Sequence, residues 1–489
     1  MVAVALGVSF FVVLALMRLI YAISFTEPLQ MQTSGAEFES LFAVWKYIHG
    51  LAVYNDRYQP PYNAAMYNWL FYESYGFFTK SVMTALDLTD AWLPTTARFL
   101  TLFAAATVAA TAYKAFVKAN AAQGLSRVVP AGFALLVATG PLLGFWVFTV
   151  RPDIWALAFE ILAATWFILN YPTRRWTALL GAAFFAYLAW SFKQSSVFFL
   201  LSVGFFLLIR MAWRQLAFMI FIMAAAFALT FIFGEPQYVR NILFSGYPLE
   251  FTFDRGITNI TSFTIKMVPA VVLMITALIY RFFRTGAWAE IWRDDTKLFC
   301  LVAALVSGSL AVAISFQVGG AENYFFAFSF YLSLCGLALL PGIADWPRPA
   351  TFLIATGWLV LAAAVAMVFT GRVGITDLRP HHVSNTSIKN CIEPLQRPLY
   401  VEHPYVSLPW MSDDTTYFVL SYVYEKERRA GHTFVNGGIG GYIERGDLET
   451  LVLLGNSAPS SYDGAPLDKY EERPSACPGY VVMSRRNKK

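Results

Sequence analysis

The chain has 489 residues, of which 57% are hydrophobic and 14% charged, where an ordinary soluble domain carries about 25% charged residues. Its net charge of +5 is small for this length. This balance excludes a soluble globular enzyme and gives no support to nucleic-acid binding, leaving the lipid bilayer as the first partner.

The apolar residues fall in blocks of about 20, the helical length that crosses a bilayer. Many of the 14 Trp and 25 Tyr stand at block ends, as interfacial belts require. The pattern predicts a polytopic α-helical membrane protein of about eleven transmembrane helices. The spans fall near 2–25, 98–117, 129–149, 153–170, 177–192, 195–212, 215–234, 265–283, 297–316, 322–340 and 350–370. The first stretch has no charged leading region and no small-residue cleavage site, so it reads as a retained helix.

The short connections sort by charge. One side carries Lys114, Lys118, Arg127, Arg174, Arg175, Arg210, Arg214, Arg281, Arg284, Arg293, Lys297 and Arg348. The other side has only Arg151, Lys193, Arg240, Arg255 and Lys266. The positive-inside rule makes the first side cytoplasmic. The amino terminus is then inside, and an odd number of spans puts the carboxyl end outside.

Three longer segments interrupt this pattern. The first external loop, about 26–97, holds two amphipathic stretches, Ser34–His49 and Asn63–Leu86, expected to lie along the membrane interface. A second external loop spans about 235–264. From about residue 372 proline, charge and alternating segments take over, so residues 1–371 read as a membrane domain and 372–489 as a small extracytoplasmic α/β domain. In that domain Pro398–Val401, Leu451–Leu454 and Gly479–Ser484 read as strands and Thr415–Ala430 as a helix. The run Gly437-Gly438-Ile439-Gly440-Gly441 follows no clear strand and reads as a turn rather than a nucleotide loop. Cys300 and Cys335 fall in membrane helices, while Cys391 and Cys477 lie in the tail, where an oxidising compartment allows them to pair.

Ionisable groups at membrane depth are costly and point to function. Here they gather on the external side: Glu27, Glu37 and Glu39 after the first span, Arg151 and Asp153 between the third and fourth, Lys193 and Gln194 between the fifth and sixth, and Glu322, Asn323 and Tyr324 opening the tenth. Glu160 lies two turns below Asp153 and is expected to point into the bundle. Each alone fits an interfacial side chain or half of an ion pair. Together they predict one outward-opening polar cavity, suited to a phosphate-bearing substrate and a general base.

At these residues the chain resembles the C superfamily of integral-membrane glycosyltransferases, which includes protein O-mannosyltransferases and lipid A aminoarabinose transferases. The resemblance rests on Gly35-Ala36-Glu37, the helix ending His49-Gly50, Val53-Tyr54-Asn55-Asp56, Gln59-Pro60-Pro61-Tyr62, Arg151-Pro152-Asp153, Phe192-Lys193-Gln194 and Gly320-Ala321-Glu322-Asn323-Tyr324, in this order over residues 1–340. It implies an enzyme of a bacterial inner membrane that moves a sugar from a polyprenyl-phosphate donor to a hydroxyl of a glycolipid, polysaccharide or protein. It makes Glu37 the general base with Glu39 in reserve, since residues two apart on a helix point about 200° apart. Lys193 and Arg151 become the phosphate-binding pair. Tyr54, Asp56, Asp153, Gln194, Glu322, Asn323 and Tyr324 are the candidates for the substrate site. No metal is demanded, although some members of the superfamily use a divalent ion. The rival reading, a transporter or lipid flippase, predicts internal repeats with broken helices in matching halves, and the sequence shows none.

Overall fold

The computed structural model describes residues 36–121, 127–243, 250–283, 287–317, 320–340, 388, 390–402, 418, 424–455, 462–474 and 477–486, with scattered positions between 9 and 20. The expected spans 2–25 and 350–370 and the residue Glu27 lie outside the described residues, apart from those scattered positions. What is described is mostly helical, with a small sheet near the carboxyl end.

The first external loop forms two helices, α1 (Ala36–Ile48) and α2 (Trp69–Ala85). Glu37 and Glu39 in the first turn of α1 and Lys46 in its last complement the helix dipole. The helix stops at Gly50, whose φ of +69° suits a residue without a side chain. Both helices are expected at the interface, but α1 is buried on nearly every face, from Glu37 through Val44. The second keeps the expected exposed stripe, at Glu73, Phe77 and Lys80.

The bundle follows as α3 (Leu93–Asn120), α4 (Val128–Thr139), α5 (Asp153–Asn170), α6 (Arg175–Phe192), α7 (Phe198–Ile209) and α8 (Trp213–Phe233). The second external loop gives α9 (Pro236–Leu243) and α10 (Phe253–Lys266), and α11 (Val268–Phe283), α12 (Ala287–Arg293), α13 (Asp295–Ser315) and α14 (Phe326–Leu339) complete the helices of the bundle. Pro94 sits in the first turn of α3, where its missing N–H costs nothing. Asp294 caps α13 by accepting from the amides of Thr296 and Lys297 at 2.8 and 3.2 Å. The expected span 129–149 is not one helix. It breaks at Gly140-Pro141 and resumes as a 3-10 turn, Gly144–Phe148, because proline cannot continue the ladder behind it.

Four helical segments among the described residues are long and apolar enough to cross a membrane: 90–120, 153–170, 213–233 and 295–315. The pair α10 and α11 meets the same test jointly but bends by 81° between them, and α4 and α7 are shorter apolar helices. The chain is therefore a multi-pass membrane protein. Its helices pack through small residues, as membrane bundles do: Ala104, Ala112 and Ala115 on α3, and Ala178, Ala182, Ala186 and Ala189 on α6, are all buried.

The carboxyl-terminal part holds β1 (Leu399–Val401), α15 (Tyr424–Arg429), α16 (Gly438–Arg445), β2 (Thr450–Leu454), β3 (Tyr470–Arg473) and β4 (Tyr480–Arg485). The sheet order is β1-β2-β4-β3, with β1 parallel to β2 and the other pairs antiparallel. Strand β3 has only one buried residue, Tyr470, and three exposed ones, which hides it from a hydrophobic pattern. Cys391 and Cys477 are disulfide-bonded, whereas Cys300 and Cys335 are buried and free.

Candidate active site

Three separate turns bring one polar cluster together. Asp153, at the start of α5, accepts from Lys193 Nζ and from Asn323 Nδ2 through the same oxygen, each at 2.6 Å. Its other oxygen takes Arg151 Nε at 3.2 Å. Lys193 also lies over the Tyr324 ring, 5.0 Å from its centre, and Arg151 over Trp146 at 5.4 Å. Two cations thus share one buried carboxylate, while each keeps about a tenth of its side chain open, 12%. Next to them a small void of about 20 Å³ is lined by Asp153, Lys193, Ser195, Asn323 and Tyr324. Among the described residues Asn323 Oδ1 and Gln194 Oε1, buried beside this cluster, have no hydrogen-bond partner, a state that calls for a ligand or water.

The remaining sequence-predicted residues divide. Gln194 belongs to the neighbourhood and donates to the Met66 carbonyl at 2.8 Å. Glu322 does not reach Asp153; its carboxylate accepts from Ser262 and Lys266 and pins α10 to the 320s turn. Arg255 strengthens that attachment by donating to the Gly320 carbonyl at 2.7 Å. Asp56 closes its own turn, accepting from the Tyr58 amide at 3.1 Å and from Gln59 at 3.4 Å, the short-range habit of aspartate in loops. Tyr54 is buried and donates to the Tyr67 carbonyl at 2.8 Å. Glu160 does point into the bundle, where it accepts from the amides of Phe198 and Phe199 at 3.1 and 2.7 Å and so caps α7.

Glu37, expected as the general base, is 0% exposed and engaged on both oxygens. Arg98 donates to them from Nε and Nη2, each at 2.9 Å, and the Val150 amide adds a third bond at 2.9 Å. Glu39 lies on another side of α1. It acts electrostatically on Tyr67 and Tyr72, and Tyr67 also feels Arg151, Asp153 and Tyr324. Burial pushes the Tyr67 phenol up, with Arg151 opposing. Glu39 thus acts on the same tyrosine as Arg151 and Asp153, while Glu37 reaches the Val150 amide next to Arg151.

Sequence reasoning missed three supporting residues. Arg98 opens a predicted span, and a cation at that depth is itself a signal. Tyr67 carries no such mark. Lys46 is 5% exposed and donates to the Val53 carbonyl and to Asn55 Oδ1, both at 2.6 Å. Burial lowers its pKa to about 7.

The tail docks on the same loop. Arg57 pairs with Glu427 at 2.7 Å, the Val435 amide donates to the Tyr58 carbonyl at 2.8 Å, and Tyr62 donates to the Val435 carbonyl at 2.5 Å. In the tail, the glycine run opens α16 instead of forming a plain turn. Its amides are already met by the chain itself: Gly440 donates to Asp463 at 2.9 Å and Ile439 to the Tyr424 hydroxyl at 3.0 Å. An internal carboxylate thus fills the place that an anion takes in a phosphate loop. Among the described residues no group of three or more His, Cys, Asp or Glu is placed to hold a metal ion.

Comparison with solved structures settles the fold. The crystal structures of ArnT from Cupriavidus metallidurans, in the apo state and bound to undecaprenyl phosphate, match with TM-scores of 0.63 and 0.58. The matches cover 98% of this chain and 97% and 98% of theirs, at 13% and 12% identity. This chain thus has the ArnT fold. The oligosaccharyltransferase AglB from Archaeoglobus fulgidus, in complex with an inhibitory peptide and a dolichol-phosphate, shares it with a TM-score of 0.55 and 10% identity, over 98% of this chain and 74% of that one. The chain matches no family model, and no curated protein matches it in sequence. At such identities the likeness is one of fold, and within the ArnT-like fold the chemistry has to be argued from the residues just described.

Proposed function

We propose that the chain is an inverting glycosyltransferase that moves a sugar from a polyprenyl-phosphate donor to an acceptor hydroxyl. The convergence of Arg151 and Lys193 on Asp153, from turns about 40 residues apart in sequence, carries the reading. Two largely buried cations, each about a tenth open, on one buried carboxylate are a phosphate site at rest. An incoming lipid phosphate takes over the role of Asp153, and charge-assisted bonds from Lys and Arg suit it. The ArnT complex with undecaprenyl phosphate and the AglB complex with dolichol-phosphate support a lipid-linked donor on this fold.

In the reaction, Glu39 takes the proton of the acceptor hydroxyl, and that oxygen attacks the anomeric carbon from the face opposite the phosphate. The bond between the anomeric carbon and the phosphate oxygen breaks, and the lipid phosphate leaves with the electron pair. Lys193 and Arg151 offset the charge that gathers on it. A single displacement inverts the centre and needs no glycosyl-enzyme intermediate. Glu37 holds α1 against α3 through Arg98 and so positions Glu39. We place the amino terminus in the cytoplasm and the tail outside a bacterial inner membrane, on about eleven spans, from the loop charges. The Cys391–Cys477 bond supports the placement of the tail in an oxidising compartment.

The test is transfer from a panel of polyprenyl-phosphate sugars into a lipid-linked acceptor extract, with Glu39→Gln and Lys193→Gln beside the wild type. Transfer by the wild type and its loss in both variants is the expected result. No transfer from any donor removes the function. Full activity in Glu39→Gln removes the base.

A further inference from the structure

A second and much larger cavity lies on the other side of the Met66-Tyr67 segment. Its volume is about 600 Å³, within the ~300–1,000 Å³ range of small-molecule sites. Its walls come from the loop after α1 (Tyr47, Gly50 to Tyr54), the start of α2 (Trp69, Tyr72, Glu73), the outer ends of α6 and α8 (Tyr187, Thr230, Phe233) and the entry to α9 (Glu235, Tyr238). Among the described residues the only ionisable side chains in the lining besides the tyrosines are two carboxylates, Glu73 and Glu235, with no Lys, Arg or His.

That chemistry is the reverse of the Asp153 cluster. A phosphate or a carboxylate ligand is repelled by Glu73 and Glu235 and finds no cation. Aromatic faces stack on the C–H faces of a sugar ring, and carboxylates accept from its hydroxyls or from an amine. Tyr187 and Thr230 are bonded to each other at 2.6 Å, which holds that part of the rim in place.

The cavity and the cluster are one backbone segment apart. Tyr54 donates to the Tyr67 carbonyl at 2.8 Å, and the Tyr67 amide donates to the Tyr72 hydroxyl at 3.3 Å, both from the cavity side. The preceding Met66 carbonyl accepts from Gln194 of the cluster at 2.8 Å. Tyr67 itself feels the charges of Arg151, Asp153 and Glu39. We infer that this cavity binds a non-anionic saccharide unit, neutral or amine-bearing, and that it serves as the acceptor side of the site. The acceptor role rests on the glycosyl-transfer reading; the saccharide site does not.

The experiment uses the full chain in lipid nanodiscs at pH 7. Saturation-transfer NMR is recorded with methyl glycosides of a neutral hexose, an amino hexose and a hexuronic acid. The neutral and amino glycosides receive saturation and the hexuronic acid does not. Glu73→Gln, Glu235→Gln and the double variant each weaken binding, the double by about tenfold or more, since a charge-assisted bond is lost at each position. Binding of polyprenyl phosphate, measured in the same discs, is unchanged by these substitutions and is weakened by about 10- to 100-fold in Lys193→Gln. Equal binding of the hexuronic acid, or no effect of the double variant on any glycoside, overturns the saccharide assignment. Glycoside binding in a protein that never binds polyprenyl phosphate leaves the saccharide site standing and removes the transfer reading instead.

Discussion

Replacing Glu37 by Gln distinguishes a positioning carboxylate from a catalytic one. Glu37 and Arg98 are both 0% exposed and meet through two bonds of 2.9 Å. The amide keeps one oxygen as acceptor but turns an NH₂ group towards the guanidinium and leaves Arg98 without its counter-charge. Breaking a buried pair on one side costs about 3–5 kcal/mol. Arg98→Met costs a similar amount from the other side, because it strands a carboxylate. The double variant Glu37→Gln/Arg98→Met strands no charge, so the two losses are far from additive, with a coupling of about 3 kcal/mol. The assay is denaturant unfolding in detergent for the four proteins of this cycle, beside the transfer assay. If Glu37→Gln unfolds as the wild type does and transfer is still abolished, the carboxylate acts on substrate and its structural role is refuted.

Three further outcomes follow from the same geometry. Arg151→Gln and Lys193→Gln each weaken polyprenyl-phosphate binding by about 10- to 100-fold, the worth of one charge-assisted hydrogen bond, as measured by titration in nanodiscs; an effect below about twofold removes the phosphate role. Cys391→Ser opens a loop of 86 residues and destabilises the tail by about 4–5 kcal/mol on the loop-entropy scale, read as protease sensitivity of the tail with and without reductant. Lys46 has a folded pKa lowered to about 7 by burial, below the ordinary value of 10.5. Between these values the unfolded chain binds more protons than the folded one, so stability rises with pH from about 7 to 10, by at most about 1.4 kcal/mol per pH unit. The wild-type minus Lys46→Met difference in unfolding free energy shows this slope, and a flat difference refutes the assignment.

Much of the fold and part of the site are legible in the sequence. Long apolar runs such as Asp153–Asn170 and Trp213–Phe233 announce themselves by length. The cluster of Arg151, Asp153, Lys193 and Asn323 is readable because charged and amide groups at membrane depth are rare enough to stand out. What stays hidden depends on pairing across the chain. Glu37 and Glu39 look alike in sequence, and only the position of Arg98, 61 residues further on, marks the first as half of a buried ion pair. Glu322 is likewise claimed by Lys266 and Ser262 from another loop. Trp69 and Tyr238 carry no distinguishing mark in the sequence until the walls of one cavity bring them together with Tyr54.

The bond between Glu160 and the first amides of α7 bears on how the protein is made. Helix α7 has 12 residues and is about 18 Å long, well short of the ~30 Å hydrocarbon core. A helix so short leaves its leading amides at a depth where lipid offers them nothing. Glu160 of α5 supplies the acceptors, and α5 emerges from the ribosome first. Segment 198–209 is thus a poor substrate for insertion alone and a good one when α5 is already waiting beside it. Replacement of Glu160 then acts during biogenesis, as failed membrane insertion and degradation of nascent chains, before any finished protein exists to be assayed.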